Sequence, residues 1–284
     1  MNDAEGSGND VEGPSDDAET PALRMFAAEL RSWRLHLGWT QVEIGDRIGY
    51  SDKLVSGVET CTRTPTLAFA RACDKATGAP GTFARRHEDI SRESFPPWFA
   101  LVPILAAKAR RIHAWDMRCI PGLLQTEAYA RAIMRACRPG VTDDVIERDV
   151  AARLERQEIF NGEHPPFAWF AIAESVLRQI FGSKEIHCDQ LDKLIEWAER
   201  PGIVIQVVPA TVQDCAGAGG PMVIFDIRDS PQVAYAEGYE VGRVIEAPGE
   251  VATMATLFDL LIAAALPRGE SLRLIREIRS EYGE

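Results

Sequence analysis

After Pro21 the apolar residues Leu23, Phe26, Ala27, Leu30, Trp33 and Leu37 recur at three- and four-residue intervals, the spacing of one buried helical face, and Gly38 closes the run as a C-terminal glycine does. Thr40 with Glu43 three residues on is a capping box and predicts a short second helix running to about Ile48. Gly49 supplies a tight turn, and Ser51 caps a third helix over 52–59 that buries Leu54, Val55 and Val58. Thr66 opens a fourth, carrying Leu67, Phe69, Ala70 and Cys73 and ending at Gly78, and a fifth over about 80–90 completes a five-helix bundle.

Phe95-Pro-Pro-Trp-Phe99 breaks the helical period, because a residue preceding proline is pushed out of the helical region. Beyond it the pattern predicts helices over 98–114, 125–137, 142–160, 174–181, 185–199, 250–265 and 271–281. Between them, 167–172, 203–208, 222–225 and 233–236 are short β-branched or aromatic runs bounded by Pro and Gly, which read as strands. Gly217-Ala-Gly-Gly220 reads as a turn or mobile loop. The expected fold is mainly α with an α+β C-terminal domain, in three parts: an acidic tail at 1–20, a helical head at 21–92 and the α+β domain at 93–284.

At 284 residues and 46% hydrophobic, the chain fills two cores without needing a metal or disulfides. Its formal charge of −12 argues against nucleic acid until it is placed. Seven acidic and no basic residues lie in 1–20, 11 basic against 8 acidic in 21–92, and 20 against 28 in 93–284. The tail, with three glycines and almost nothing apolar, reads as disordered, and it is a candidate to screen the net +3 head. The run from Leu260 to Leu266 is too short to span a bilayer and no export leader is evident, so the expected location is the cytoplasm. Six cysteines without a Cys-x-x-Cys pair and five histidines without ligand spacing predict mostly buried thiols, no metal and no cofactor.

Two short helices joined by a glycine turn match the helix-turn-helix, whose second helix enters the major groove. Residues Gly38 to Glu59, with Arg63-Thr-Pro-Thr66 after them, resemble the lambda-repressor-like (Xre/Cro) family over roughly 22–80. The resemblance implies double-stranded DNA as partner and a homodimer reading two half-sites. It assigns Gln41 and Arg63 to phosphates and Ser51, Asp52, Lys53 and Ser56 to base edges. The chain departs from the family in having Gly57 where relatives carry Arg or Gln, and Cys61 where they usually have a helix-closing glycine.

Further on, Phe95-Pro-Pro-Trp-Phe99, Trp115, the run from Ile120 to Ala130 containing Pro-Gly-Leu-Leu-Gln-Thr-Glu, Arg156-Gln157, Glu174 to Arg178, Gln190 to Leu194, Ile205 to Pro209, Gly220-Pro221 and Tyr235-Ala-Glu237 resemble the C-terminal domain of unknown function that follows Xre-type heads in many actinobacterial regulators. This implies a transcriptional regulator with a small partner protein or small-molecule ligand acting on the second domain. The alternative is an interaction component of a toxin–antitoxin-like pair with a weakened head. For catalysis, Glu127, Glu174, Glu237, Arg178 and His187 are the residues to place, but helix-terminal charges and ion pairs account for them better, and no enzyme activity is expected. Trp98, Phe99, Trp115, Tyr129, Trp169, Phe170 and Trp197 suit core packing more than a ligand pocket.

Overall fold

Thr20 accepts a hydrogen bond from the N–H of Leu23 and starts α1 (Pro21–His36) in the computed structural model, which describes residues 20–93, 99–238 and 241–283; residues 1–19 of the acidic tail and Phe95 to Trp98 lie outside them. The head continues as α2 (Gln41–Ile48), α3 (Asp52–Glu59), α4 (Leu67–Thr77) and α5 (Thr82–Glu93), the five helices expected. Thr40, Ser51 and Thr66 each cap the helix that follows, and both hydrogen bonds of the Thr40–Glu43 capping box form. Asp74 reaches across from α4 to accept from the N–H groups of Phe83 and Ala84, so α5 takes its cap from another helix. Phe26, Leu30, Ile44, Val55, Val58, Phe69 and Phe83 form one buried core.

The rest of the chain builds on a six-stranded sheet in the order β3-β2-β1-β4-β5-β6, with β1 (Ala109–Asp116), β2 (Phe167–Ala173) and β3 (Ile203–Val208) parallel. β4 (Met222–Ile227), β5 (Val233–Gly238) and β6 (Val241–Ile245) are antiparallel. Around it lie α6 (Val102–Lys108), α7 (Glu127–Cys137), α8 (Asp143–Glu155), α9 (Glu174–Arg178), α10 (Lys184–Glu199), α11 (Pro248–Ala264) and α12 (Arg268–Glu281). Ile112, Ala114, Phe170, Ile205, Phe225 and Tyr235 face one core, with residues of α7, α10 and α12. Trp115, Ala171, Ile224 and Ala234 face the other, with α11. Trp115, Tyr129, Phe170 and Trp197 are core residues.

Several expectations need correction. The helix expected over 98–114 stops at Lys108, and the chain continues as the sheet-central strand β1. Ala, Lys and Arg favour helix there, but pairing with β2 on one side and β4 on the other overrides local propensity, and an irregularity between Ala109 and Arg111 hides the two-residue alternation. The long helix from 142 ends at Glu155 and gives way to a 3₁₀ turn, Arg156–Phe160. Thr142 occupies its N-cap position without a side-chain cap bond. Of the two readings of Gly217 to Gly220 the turn holds: Ala216–Gly219 is a 3₁₀ turn whose Gly217 carbonyl accepts from the Trp115 indole at 3.0 Å, and a Cβ at Gly217 would collide with that ring. Only Cys73 and Cys188 among the thiols are buried. Among the described residues no single helix is long and apolar enough to cross a membrane.

Candidate nucleic-acid interface

Helices α2 and α3 make the helix-turn-helix. Gly49 ends α2 with φ +78°, and Tyr50 and Ser51 complete the turn. The close approach depends on Gly45, inside α2: a Cβ there would lie 2.7 Å from the Tyr50 carbonyl oxygen and 3.3 Å from the Asp52 nitrogen. Both neighbours are backbone, so neither can swing aside. In the sequence Gly45 shows only as a glycine inside a helical stretch, four residues before the turn glycine.

Val55 and Val58 hold α3 to the core, and Ser51, Asp52 and Lys53 stand exposed at its N-terminal end with Ser56 half-exposed one turn later. All four base-edge candidates therefore reach solvent, with Asp52 and Ser56 one turn apart on the same face. Ser51 also caps α3, accepting from the Leu54 N–H at 3.3 Å.

Gln41 stands at the first position of α2, and its amide donates to Glu59 Oε2 at 2.8 Å. Glu59 in turn receives Arg34 through two bonds, Nε at 2.6 Å and a terminal nitrogen at 2.9 Å, while Arg34 also donates to the Trp39 carbonyl. Arg34 and Glu59 are 11% and 4% exposed, so this fork is an internal tie between α1, the start of α2 and the end of α3. Glu59 holds the Arg34 guanidinium above its usual range. Gln41 thus has a structural partner inside the head beside any contact outside it.

Arg63 is exposed, and its stem lies across α3 at Gly57: a Cβ there would sit 3.0 Å from Arg63 Cγ and 3.2 Å from Cδ. The Gly57 carbonyl collects the N–H groups of Thr62 (2.8 Å) and Arg63 (3.0 Å) and the Thr62 hydroxyl (3.1 Å). Cys61 makes this closure at φ +58°, the left-handed conformation that a glycine takes without cost. The two departures noted in the sequence are one device: Gly57 gives Arg63 its seat, and Cys61 turns the chain toward it.

Of the residues considered for catalysis, Glu174 and Arg178 pair with each other, and Glu127, Glu237 and His187 each have other partners. Glu127 pairs with Arg131, and Glu174 pairs with Arg178 and accepts from the Ala210 N–H. Arg178 also meets Glu281. His187 is buried against the Leu177 carbonyl at 3.0 Å, and burial lowers its pKa. Glu237 lies within β5, not after it, 3.4 Å from Arg118. Among the described residues no group of His, Cys, Asp and Glu could hold a metal.

A helix-turn-helix domain model matches residues 25–86, and a model described as a domain of unknown function, DUF5753, matches residues 100–277. No curated protein and no solved structure matches the chain. A helix-turn-helix domain at this position suggests DNA binding. The second match covers more than half of the sequence, and the chain belongs to the DUF5753 family, with a helix-turn-helix domain ahead of the family domain.

Proposed function

We propose that the protein is a sequence-specific DNA-binding transcriptional regulator of the Xre type. It works as a homodimer in the cytoplasm, and its residues 93–284 supply dimerisation and the input of a partner protein or ligand. The observation that carries this reading is the outward end of α3: Ser51, Asp52 and Lys53 are exposed beside Ser56, on a helix fixed to the core by Val55 and Val58. Such a helix presents hydrogen-bonding groups to base edges without reorganising. Arg63 supplies positive charge for the duplex backbone beside Gln41, Lys53 offers a donor to a base edge, and Asp52 suits a cytosine amine.

Gel-shift titration of the full chain against promoter fragments, its own included, tests this. The expected result is saturable, sequence-dependent binding that weakens as salt rises. Lys53→Ala and Ser56→Ala are expected to lower affinity, each by about ten-fold at the base it meets. Sequence-independent binding, or none, would overturn the reading in favour of an interaction module with a weakened head. Starting the chain at Thr20 tests the acidic tail: relief of screening raises affinity most at low salt.

A further inference from the structure

Several stretches singled out in the C-terminal sequence meet on one face of the sheet. Arg153 comes from the last turn of α8 and Arg156 from the 3₁₀ turn after it. Gln125, from the Pro-Gly-Leu-Leu-Gln-Thr-Glu run, accepts from an Arg153 terminal nitrogen at 2.8 Å and donates to the Ile120 carbonyl at 2.7 Å. Gln157 donates to the Gln125 carbonyl at 2.7 Å. The Arg156 guanidinium lies 4.7 Å from the centre of the Phe99 ring, and Phe99 meets Tyr235 edge-on. Tyr235 and Glu237 share this face of β5, with Asp116 at the end of β1, and Gly242 on β6 leaves the space that the Tyr235 hydroxyl fills.

The polar groups gathered here are not balanced. Arg153 Nε is buried without a hydrogen-bond partner, and so is the hydroxyl of Tyr235, a residue only 1% exposed. Among the described residues Arg153 contacts the neutral Gln125 amide and no carboxylate. Glu237 is engaged by Arg118 at the solvent edge, and burial raises the Asp116 pKa, disfavouring a second negative charge. Burial pushes Arg156 down to about 9 and lowers Arg153 as well, the response of cations held out of water. The orphaned Arg153 Nε and Tyr235 hydroxyl each carry a desolvation cost that an incoming acceptor removes.

We propose that Arg153, Arg156 and Tyr235 form a binding site for a small oxyanion, the carboxylate or phosphate group of a low-molecular-weight ligand, in the C-terminal domain. The oxyanion accepts from Arg153 Nε and the Tyr235 hydroxyl, and the exposed Arg118–Glu237 pair stands at its mouth. Glu237 beside the cations favours a group of low charge. This gives chemistry to the ligand input of the function proposed above, but binding does not depend on DNA and is measured without it.

Thermal unfolding of the full chain in sodium acetate, sodium phosphate and, at matched ionic strength, sodium chloride tests the site. A saturable rise in Tm with acetate or phosphate beyond chloride is expected, and which salt acts identifies the group. Arg153→Met is expected to weaken the response by about ten-fold or more, and Tyr235→Phe, which keeps the ring and removes only the orphaned hydroxyl, by roughly three- to ten-fold. Arg273→Gln, on the exposed side of α12, leaves it unchanged. Equal responses to all three salts, or a response retained by Tyr235→Phe and by Arg153→Met, overturn the proposal; if Arg153→Met does not fold, Tyr235→Phe alone decides.

Discussion

The carboxylate of Glu155 accepts a hydrogen bond from the backbone N–H of Leu67 at 2.6 Å, although the two residues are 88 positions apart. Its other oxygen lies 3.3 Å from His87 Nε2. Helix α4 is thereby capped twice, by its own Thr66 at the Phe69 N–H and by a carboxylate from the end of α8. A negative charge at a helix N-terminus is favoured by the dipole as well as by the bond. Glu155→Ala is expected to cost about 1–2 kcal/mol in urea unfolding followed at the head, and Glu155→Gln less, because an acceptor remains. Unchanged unfolding in both variants would show that the cap contributes nothing.

Gly45→Ala tests the closeness of the two short helices. Its methyl meets backbone at 2.7 Å, so α2 and α3 must part. The expected destabilisation is roughly 1–3 kcal/mol, with DNA affinity falling further than Lys53→Ala lowers it, since the whole of α3 is displaced.

Cys61→Gly runs the other way. The residue holds φ +58°, which costs a side-chain-bearing residue roughly 1–2 kcal/mol. Glycine is expected to return about 1 kcal/mol of that and to raise the melting temperature of the head by a few degrees, less whatever the half-buried thiol contributes by packing. A lower melting temperature would show that the thiol contact outweighs the strain.

The C-terminal domain is expected to lose stability in acid before its carboxylates titrate. Burial, with Arg111 adding to it, lowers the pKa of His113, which stacks on Phe258 with ring centres 4.9 Å apart; burial also lowers His187. The unfolded chain therefore takes up protons that the folded chain refuses as pH falls below about 6.5. Stability from both residues is fully present above that value and is lost as pH drops towards their folded pKa values. His113→Phe keeps the stack and removes the titration, so its unfolding free energy is expected to vary less steeply between pH 7 and 5.

The head was legible because its signals are local. Thr40, Ser51, Thr66, Gly49 and Gly78 mark helix ends within four residues of the groups they serve, and the apolar period fills the turns between. Four strands announced themselves by β-branched runs bounded by Pro and Gly. β1 did not, because its Ala and Arg residues become a strand only through neighbours 50 and more positions away. β6 is short, with only Ile245 buried, and carries no such run. The Arg34–Glu59–Gln41 tie, the Glu155 cap and the meeting of Gln125, Arg153 and Tyr235 all join distant segments, and no spacing rule contains them.

The seat of Arg63 on Gly57 has a consequence for how such a head changes over time. A side chain added at 57 must take the space that the Arg63 stem fills, and shortening Arg63 uncovers backbone at 57. The two positions are therefore coupled: a side chain at 57 displaces the exposed Arg63 stem from its present seat, so the effects of substitutions at 57 and 63 are expected to be non-additive.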